Sequence, residues 1–394
     1  MKVIFFCPNI LRDAHRHIFQ LDRLVKEGYD IVMLDATKFY GNQSTATEAI
    51  ILNNKVECSN EEDFYNFKES LGKDSVLYVA FDQYMNFAAP ILRTLVRKQD
   101  KVLSYHTKRF STAQFPTNKF RILFDNVVKK IDKILPLHFF APIYRWRYKI
   151  FIPDYYLCST NYVIPTKAFL TIKKDNRIVV HADDINNTIN DASSTVPKNL
   201  KTGVFLDQVL PFQDRLHPKI TPPIPSNYIK KYYTNLENTL SELKQSLKLD
   251  RVVIALHPDA VKLEKELADK FDGFETMIGS TNELISNADI VFGHSSTALG
   301  FAVFYKKPVI LLKDEFLMKD FDLIKKFTLF FENALGFKQI YMDKIFELPE
   351  KPFQIDEVKY NNYIRKFLKD STIQENSYYY AIEKIRKDLQ RNVS

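Results

Sequence analysis

Glycine is scarce in this chain, nine residues in 394, and none of them builds a G-x-G-x-x-G turn. That turn lets backbone approach a pyrophosphate, so its absence argues against an NAD-dependent enzyme. Cysteine is scarcer still. Cys7, Cys58 and Cys158 have neither disulfide nor metal-ligand spacing, and an odd count suits a reducing compartment. No apolar run approaches the roughly 20 residues of a membrane-crossing helix. The opening stretch, Met1–Asn9, turns polar too early for a secretory leader and reads as a first strand. His15 and His17 point apart on a helix and have no third ligand nearby, so no metal site is expected.

What is present describes a globular chain. Hydrophobic residues make up 45% and charged residues 26%, and the length suits two domains. The net charge of +8 admits a nucleotide, a nucleic acid or an anionic membrane as partner and decides among none of them.

Short apolar runs alternate with helical periodicity from end to end. In the first half, strands are expected at Lys2–Phe6, Asp30–Leu34, Ser75–Phe81, Lys101–Tyr105, Tyr155–Ser159 and Arg177–Val180. Helices are expected over 14–26, 61–71 and 88–97. Several strands end in polar residues: Asp82, His106, and the stretch from His181 to Asp184. The second half repeats the pattern, with strands at Gly203–Leu206, Arg251–Leu256, Phe274–Ile278, Ile290–Gly293 and Val309–Leu312. Helices fall over 227–247, 260–271 and 281–287, and two more over 361–390. The polar stretch 186–201 reads as a linker. The expected class is α/β with open parallel sheets. The expected division is 1–190, a linker over 191–202, a second domain over 203–360, and C-terminal helices over 361–394 that pack back across the linker.

One strand–helix–strand unit, Ala288–Leu312, organises the second half. Ile290–Gly293 is a buried strand, and Ser295, Ser296 and Thr297 offer hydroxyls where a helix begins. Ala298, Phe301, Ala302 and Tyr305 then share a helical face. Free N–H groups beside three hydroxyls suit a phosphate, although Ser-Ser-Thr also serves as a plain helix cap. Ligands of open parallel sheets bind beyond the carboxyl ends of the strands. Two further strands deliver polar groups there, Asp207-Gln208 and His257-Pro258. Pro258 stiffens the turn that holds His257.

A His-Pro after one strand and Ser-Ser-Thr after a later one, with Glu283 between, resembles the C-terminal domain of GT-B glycosyltransferases. The likeness is greatest to the bacterial sialyltransferases and Kdo transferases that use CMP-activated sugars. The segment Val204–Asp214 also resembles surface-polysaccharide proteins of that superfamily. The resemblance implies two Rossmann-like domains whose parallel sheets face each other across a cleft, and a metal-independent transferase with no cofactor beyond its CMP-sugar donor. It assigns the donor nucleotide to His257, Pro258, Ser295, Ser296 and Thr297, with Glu283, His294 and Gln208 beside them. The sugar would be a nonulosonate, and the acceptor a bacterial surface glycan or lipid-linked glycan. His106 and Lys108 lie on the acceptor side. The sialyltransferase base is an aspartate in an acidic pair followed by glycine; here Asp183-Asp184 is followed by Ile185. Three carboxylates remain in play for catalysis: Asp183 on the acceptor side, and Asp207 and Asp214 on the donor side. Asp207 is favoured because it ends a strand. Alternatives with similar His-Pro turns are a nucleotide-sugar 2-epimerase and a teichoic-acid-type transferase using UDP- or CDP-linked donors. A non-catalytic glycan-assembly subunit is a third.

Between Lys119 and Ile150, eight lysines and arginines against two aspartates interleave with large aromatics. An anionic membrane surface would take such a segment, and so would an amphipathic helix pair with a solvated basic face. No nucleic-acid-binding motif accompanies it, so nucleic acid is not an expected partner. The expected location is cytoplasmic, peripheral on the inner membrane.

Overall fold

The computed structural model describes residues 1–8, 16, 19–41, 54–106, 151–158, 172–182, 185, 200–216, 224–345, 347–368, 373 and 375–391. The chain divides into two compact units. One comprises Met1–Asp191 together with Lys369–Ser394, and the other Ala192–Leu368.

The first unit is built on a seven-stranded sheet. Its strands are β1 (Lys2–Cys7), β2 (Asp30–Asp35), β3 (Lys55–Glu57), β4 (Val76–Phe81), β5 (Lys101–His106), β6 (Tyr155–Cys158) and β7 (Arg177–Val179). They lie in the order β3-β2-β1-β4-β5-β6-β7, and every pairing is parallel. Residues alternate between two buried faces, which is why β1 is apolar from Val3 to Cys7. Val3, Phe5 and Cys7 join the core with Phe19 and with Leu21 and Leu24 of helix α1 (Leu21–Lys26). Ile4 and Phe6 join the core on the other face. That face is covered by helix α2 (Glu61–Ser70), through Phe64 and Phe67, and by α3 (Asp82–Leu95), through Ile91, Leu92 and Leu95. Asn60 and Asp63 start α2 with a reciprocal capping box.

The second unit carries a six-stranded parallel sheet. Its strands are β8 (Thr202–Leu206), β9 (Arg251–Leu256), β10 (Glu275–Ile278), β11 (Ile290–Gly293), β12 (Val309–Lys313) and β13 (Lys338–Tyr341), in the order β10-β9-β8-β11-β12-β13. Helix α4 (Ser226–Ser246) lays Tyr232, Leu236, Leu240 and Leu243 on a core with Phe205, Ile254, Phe292 and Ile310. Helices α5 (Thr281–Asn287) and α6 (Leu299–Phe304) pack against β8, β9 and β11. Gly203 lets β8 lie close to its neighbours, because a Cβ there would sit 2.8 Å from the Phe292 ring.

In each sheet the first strand of the unit is flanked by its second and fourth, the Rossmann order. The expectation of two Rossmann-like α/β units is therefore met. Two local readings need correction. The span 260–271 is not one helix but a 3-10 segment, Pro258–Leu263, followed by one helical turn, Glu264–Leu267. The helix after β11 begins at Leu299 rather than at the hydroxyls, and it buries Leu299, Ala302 and Val303. The last helix, α7 (Ser377–Arg391), belongs to the first unit, where Tyr378, Ala381, Ile382 and Ile385 enter the core with β1 and α1.

Candidate functional site

β8 lies between β9 and β11, so the three strands that end in polar residues are consecutive. Leu206 is level with Ala255 on one side and Gly293 on the other. Asp207-Gln208, His257-Pro258 and His294–Thr297 therefore leave one stretch of the carboxyl edge. Strand order reverses between β8 and β11, and the crevice at such a reversal is where open α/β sheets take their ligands.

His257 caps the 3-10 segment. Its Nδ1 accepts the Asp259 N–H at 3.1 Å. An accepting Nδ1 leaves the ring proton of the neutral form on Nε2. The side chain is 38% exposed. Pro258 occupies the first helical position, where a missing N–H costs nothing.

Gln208 joins two of the loops. Its Oε1 accepts the Ser295 N–H at 2.9 Å, and its carbonyl accepts Gln213 Nε2 at 3.0 Å. Ser295 is buried. Ser296 Oγ accepts the Ala298 N–H at 3.2 Å, closing the turn that leads into α6. Ser296 and Thr297 are half-buried. Glu283 is exposed in the first turn of α5, which follows the edge strand β10.

His294 is not a ligand contact. It is 2% exposed, and both ring nitrogens are engaged inside the fold. Nδ1 donates to the Leu312 carbonyl at 2.5 Å, so Nε2 accepts from the Tyr232 hydroxyl at 2.7 Å. Burial lowers its pKa from 6.5 to about 4, which keeps the ring neutral. It fastens β11 to β12 and α4.

Asp207, the favoured catalytic carboxylate, lies beneath the surface at 4% exposure. Its Oδ1 accepts the Val209 N–H at 3.0 Å, and its Oδ2 is buried without a hydrogen-bond partner among the described residues. Burial raises its pKa to about 6, against the pull of the Val209, Gln208 and His257 N–H groups. In this conformation the carboxyl faces into the protein, toward the Val209 turn. Asp214 is likewise spent: Oδ2 accepts the Ile224 N–H at 2.8 Å, and Oδ1 is buried. Arg215 pairs with Glu266 at 3.0 Å.

The first unit supplies fewer observations. His106 ends β5. Lys108, Asp183, Asp184 and the span 119–150 lie outside the described residues. Among the described residues, no group of three His, Cys, Asp or Glu is arranged to hold a metal, and no helix is long and apolar enough to cross a membrane.

Two members of the site escaped sequence reasoning. Tyr232 reads as core at its four-residue spacing from Tyr228, and nothing local reveals that its hydroxyl meets His294. Val209 takes a left-handed conformation, φ 45° and ψ 37°, rare for a β-branched residue. Such strain costs about 1–3 kcal/mol and clusters at ligand-binding loops.

No protein-family model and no curated protein sequence matches the chain. Among solved structures, it is similar to the wall teichoic acid polymerase TagF, at 12% identity and a TM-score of 0.48 over 100% of this chain and 90% of that one. The UDP-GlcNAc 2-epimerase from Neisseria meningitidis, bound to UDP-GlcNAc, has 14% identity and a TM-score of 0.45, covering 98% and 100%. The glycosyltransferase of kitacinnamycin has 10% identity and a TM-score of 0.43, covering 98% and 99%.

Proposed function

We propose that this chain is a GT-B glycosyltransferase that takes a nonulosonate such as Kdo, or a sialic-acid relative, from a CMP-activated donor and adds it to a bacterial surface glycan. The observation that carries the reading is the junction of three strand-end loops at the strand reversal of the second unit, with Gln208 tying one loop to Ser295. In this reading the Nε2–H of His257 and the hydroxyls of Ser296 and Thr297 receive the donor phosphate, and Glu283 flanks the nucleoside. His106 and Lys108 serve the acceptor. With Asp207 and Asp214 turned inward, Asp183 becomes the base, which implies inversion at the anomeric carbon.

A thermal-shift panel of CMP, CDP, UDP and GDP tests this. A ligand at 100 times its dissociation constant stabilises the native state by about 2.7 kcal/mol. CMP is expected to give the largest shift, and a clear preference for UDP or GDP overturns the donor assignment. His257→Ala and Ser296→Ala should each weaken CMP binding by about 1–3 kcal/mol. Asp183→Asn should abolish transfer while leaving CMP affinity intact; normal turnover in that variant removes Asp183 from the mechanism.

The basic aromatic segment 119–150 is proposed to rest on anionic lipid at the inner face of the membrane. Each basic residue near such a surface contributes about 1 kcal/mol. The protein should co-sediment with phosphatidylglycerol vesicles but not with neutral ones, and replacing Lys129, Lys130 and Lys133 by alanine should release it. Sedimentation indifferent to lipid charge and salt would leave a solvated face.

A further inference from the structure

The buried carboxyl of Asp207 stands at the junction of the three loops. Its Oδ1 fixes the strained Val209 turn at 3.0 Å. The His257 N–H, from the end of β9, acts on the same carboxyl. Its chain neighbour Gln208 holds the Ser295 N–H of the β11 loop. All three loops of the crevice thus meet at or beside one acid.

That acid is unbalanced. Oδ2 is buried without a hydrogen bond among the described residues, and so is the hydroxyl of Tyr233 on α4. A buried polar atom without a partner calls for an explanation, and these two belong to one electrostatic cluster, since the Asp207 charge acts on Tyr233. The groups facing Asp207 can be named element by element. α4 presents Tyr232 and Tyr233, which feel its charge; Glu237 acts on Tyr233, and Asp314, beyond β12, acts on Tyr232. β9 presents the His257 N–H, and β8 itself leads into the N–H groups of Gln208 and Val209. β11 presents the neutral ring of His294, capped by Tyr232. Among the described residues, no lysine or arginine is one of the groups acting on the carboxyl. Three N–H dipoles favour the charged form and burial favours the neutral one, so a further charge nearby tips the balance.

We propose that Asp207 is a proton-linked tie, and that a phosphate-bearing ligand bound across these three loops is taken up together with a proton that settles on the Asp207 carboxyl. The proposal rests on the phosphate-binding role assigned to this edge. The physical reason is linkage: an anion close to a buried acid favours its neutral form, and by reciprocity the neutral acid favours the anion. A carboxyl that titrates near 6 is poised for this at ordinary pH.

Isothermal titration of CMP at pH 6.5, in two buffers of different ionisation enthalpy, measures the proton directly. The phosphate of the nucleotide titrates in this range too, so wild type is compared with Asp207→Asn, in which only the contribution of Asp207 is lost. For a tenfold coupling, wild type should take up about half a proton more per CMP than the variant. Between pH 5.5 and 8 its affinity should fall about sevenfold more than that of the variant. The carbon-13 shift of the Asp207 carboxyl gives a readout that needs no variant, and its titration midpoint should rise when CMP saturates the protein. Normal CMP binding with equal proton uptake and an unmoved midpoint overturns the proposal. Inorganic pyrophosphate separates the two readings. If it binds with proton uptake where CMP does not, the nucleotide assignment falls and the tie stands; if neither binds, both fall.

Discussion

Tyr378→Ala is expected to destabilise the first unit by about 3–5 kcal/mol, the usual loss when a large buried aromatic is truncated. Tyr378 comes from the end of the chain, yet it is 1% exposed in a core that, apart from Ile373, Ala381, Ile382 and Ile385 of the same C-terminal stretch, is drawn from residues up to Val180. Its ring packs edge-on against Phe19 at 4.6 Å and Tyr105 at 5.3 Å. Those two rings are also in contact, at 5.5 Å, so the alanine variant opens a three-ring cluster. Polar contacts around α7 contribute less. Arg23 pairs with Glu375 at 2.7 Å and lies over the Tyr379 ring at 3.6 Å, but this pair is solvent-exposed and worth under about 1 kcal/mol. Urea denaturation of Tyr378→Ala and Arg23→Ala compares the two. If Tyr378→Ala costs no more than Arg23→Ala, the apolar face of α7 is not what holds it in the first unit.

Asp207→Asn and His294→Gln are expected to tilt the pH dependence of stability in opposite directions. Asp207 titrates at about 6 in the fold against 3.8 unfolded. The folded state therefore holds the extra proton, and the stability this provides is complete below pH 3.8 and lost as pH rises through 6. His294 titrates at about 4 against 6.5 unfolded. Its stability is complete above pH 6.5 and lost as pH falls through 4. Each contribution is about 3 kcal/mol, and across pH 4 to 6 they oppose one another in wild type. Asp207→Asn leaves the histidine alone, so stability should climb with pH through this window, and at pH 7 the variant should exceed wild type by up to about 3 kcal/mol. His294→Gln leaves the aspartate, so stability should fall with rising pH, on a baseline lowered by the lost Tyr232 and Leu312 bonds. Chemical denaturation from pH 4 to 7, read as differences from wild type, cancels the carboxylates elsewhere. Slopes parallel to wild type in both variants would mean that neither group titrates as its burial requires.

Most of the strands that sequence reading found lie inside the sheets; of the four outer strands, β7 and β10 were found and β3 and β13 were not. After the polar first residues Lys2 and Thr202, β1 and β8, like β11, are continuous apolar runs because helices cover both faces, and such runs need no knowledge of their neighbours. β3 and β13 carry the weakest apolar signal. Each is the outer strand of its sheet and has one apolar residue between polar flanks or beside them, Val56 in one and Ile340 in the other. Edge strands satisfy half of their backbone in water and lack the burial that makes a pattern visible. The helix expected to open at Ser295 began four residues later, at Leu299, because Gln208 claims the Ser295 N–H and Ser296 folds back on Ala298. The partner that decides the first of these lies 87 residues away.

The sequence by itself determined most of the strands and which residues stand at their carboxyl ends, since apolar period and turn chemistry are local properties. It was enough to single out Asp207, Gln208, His257 and the run from His294 to Thr297. Only the tertiary structure decided that β8 lies between β9 and β11, which brings those residues to one crevice, and which of them face into the protein. Gln208 bridges two loops, while His294 and Asp207 turn inward to Tyr232 and Val209. Strand order and side-chain direction depend on what packs against an element, and those partners, α4 above all, are distant in the chain.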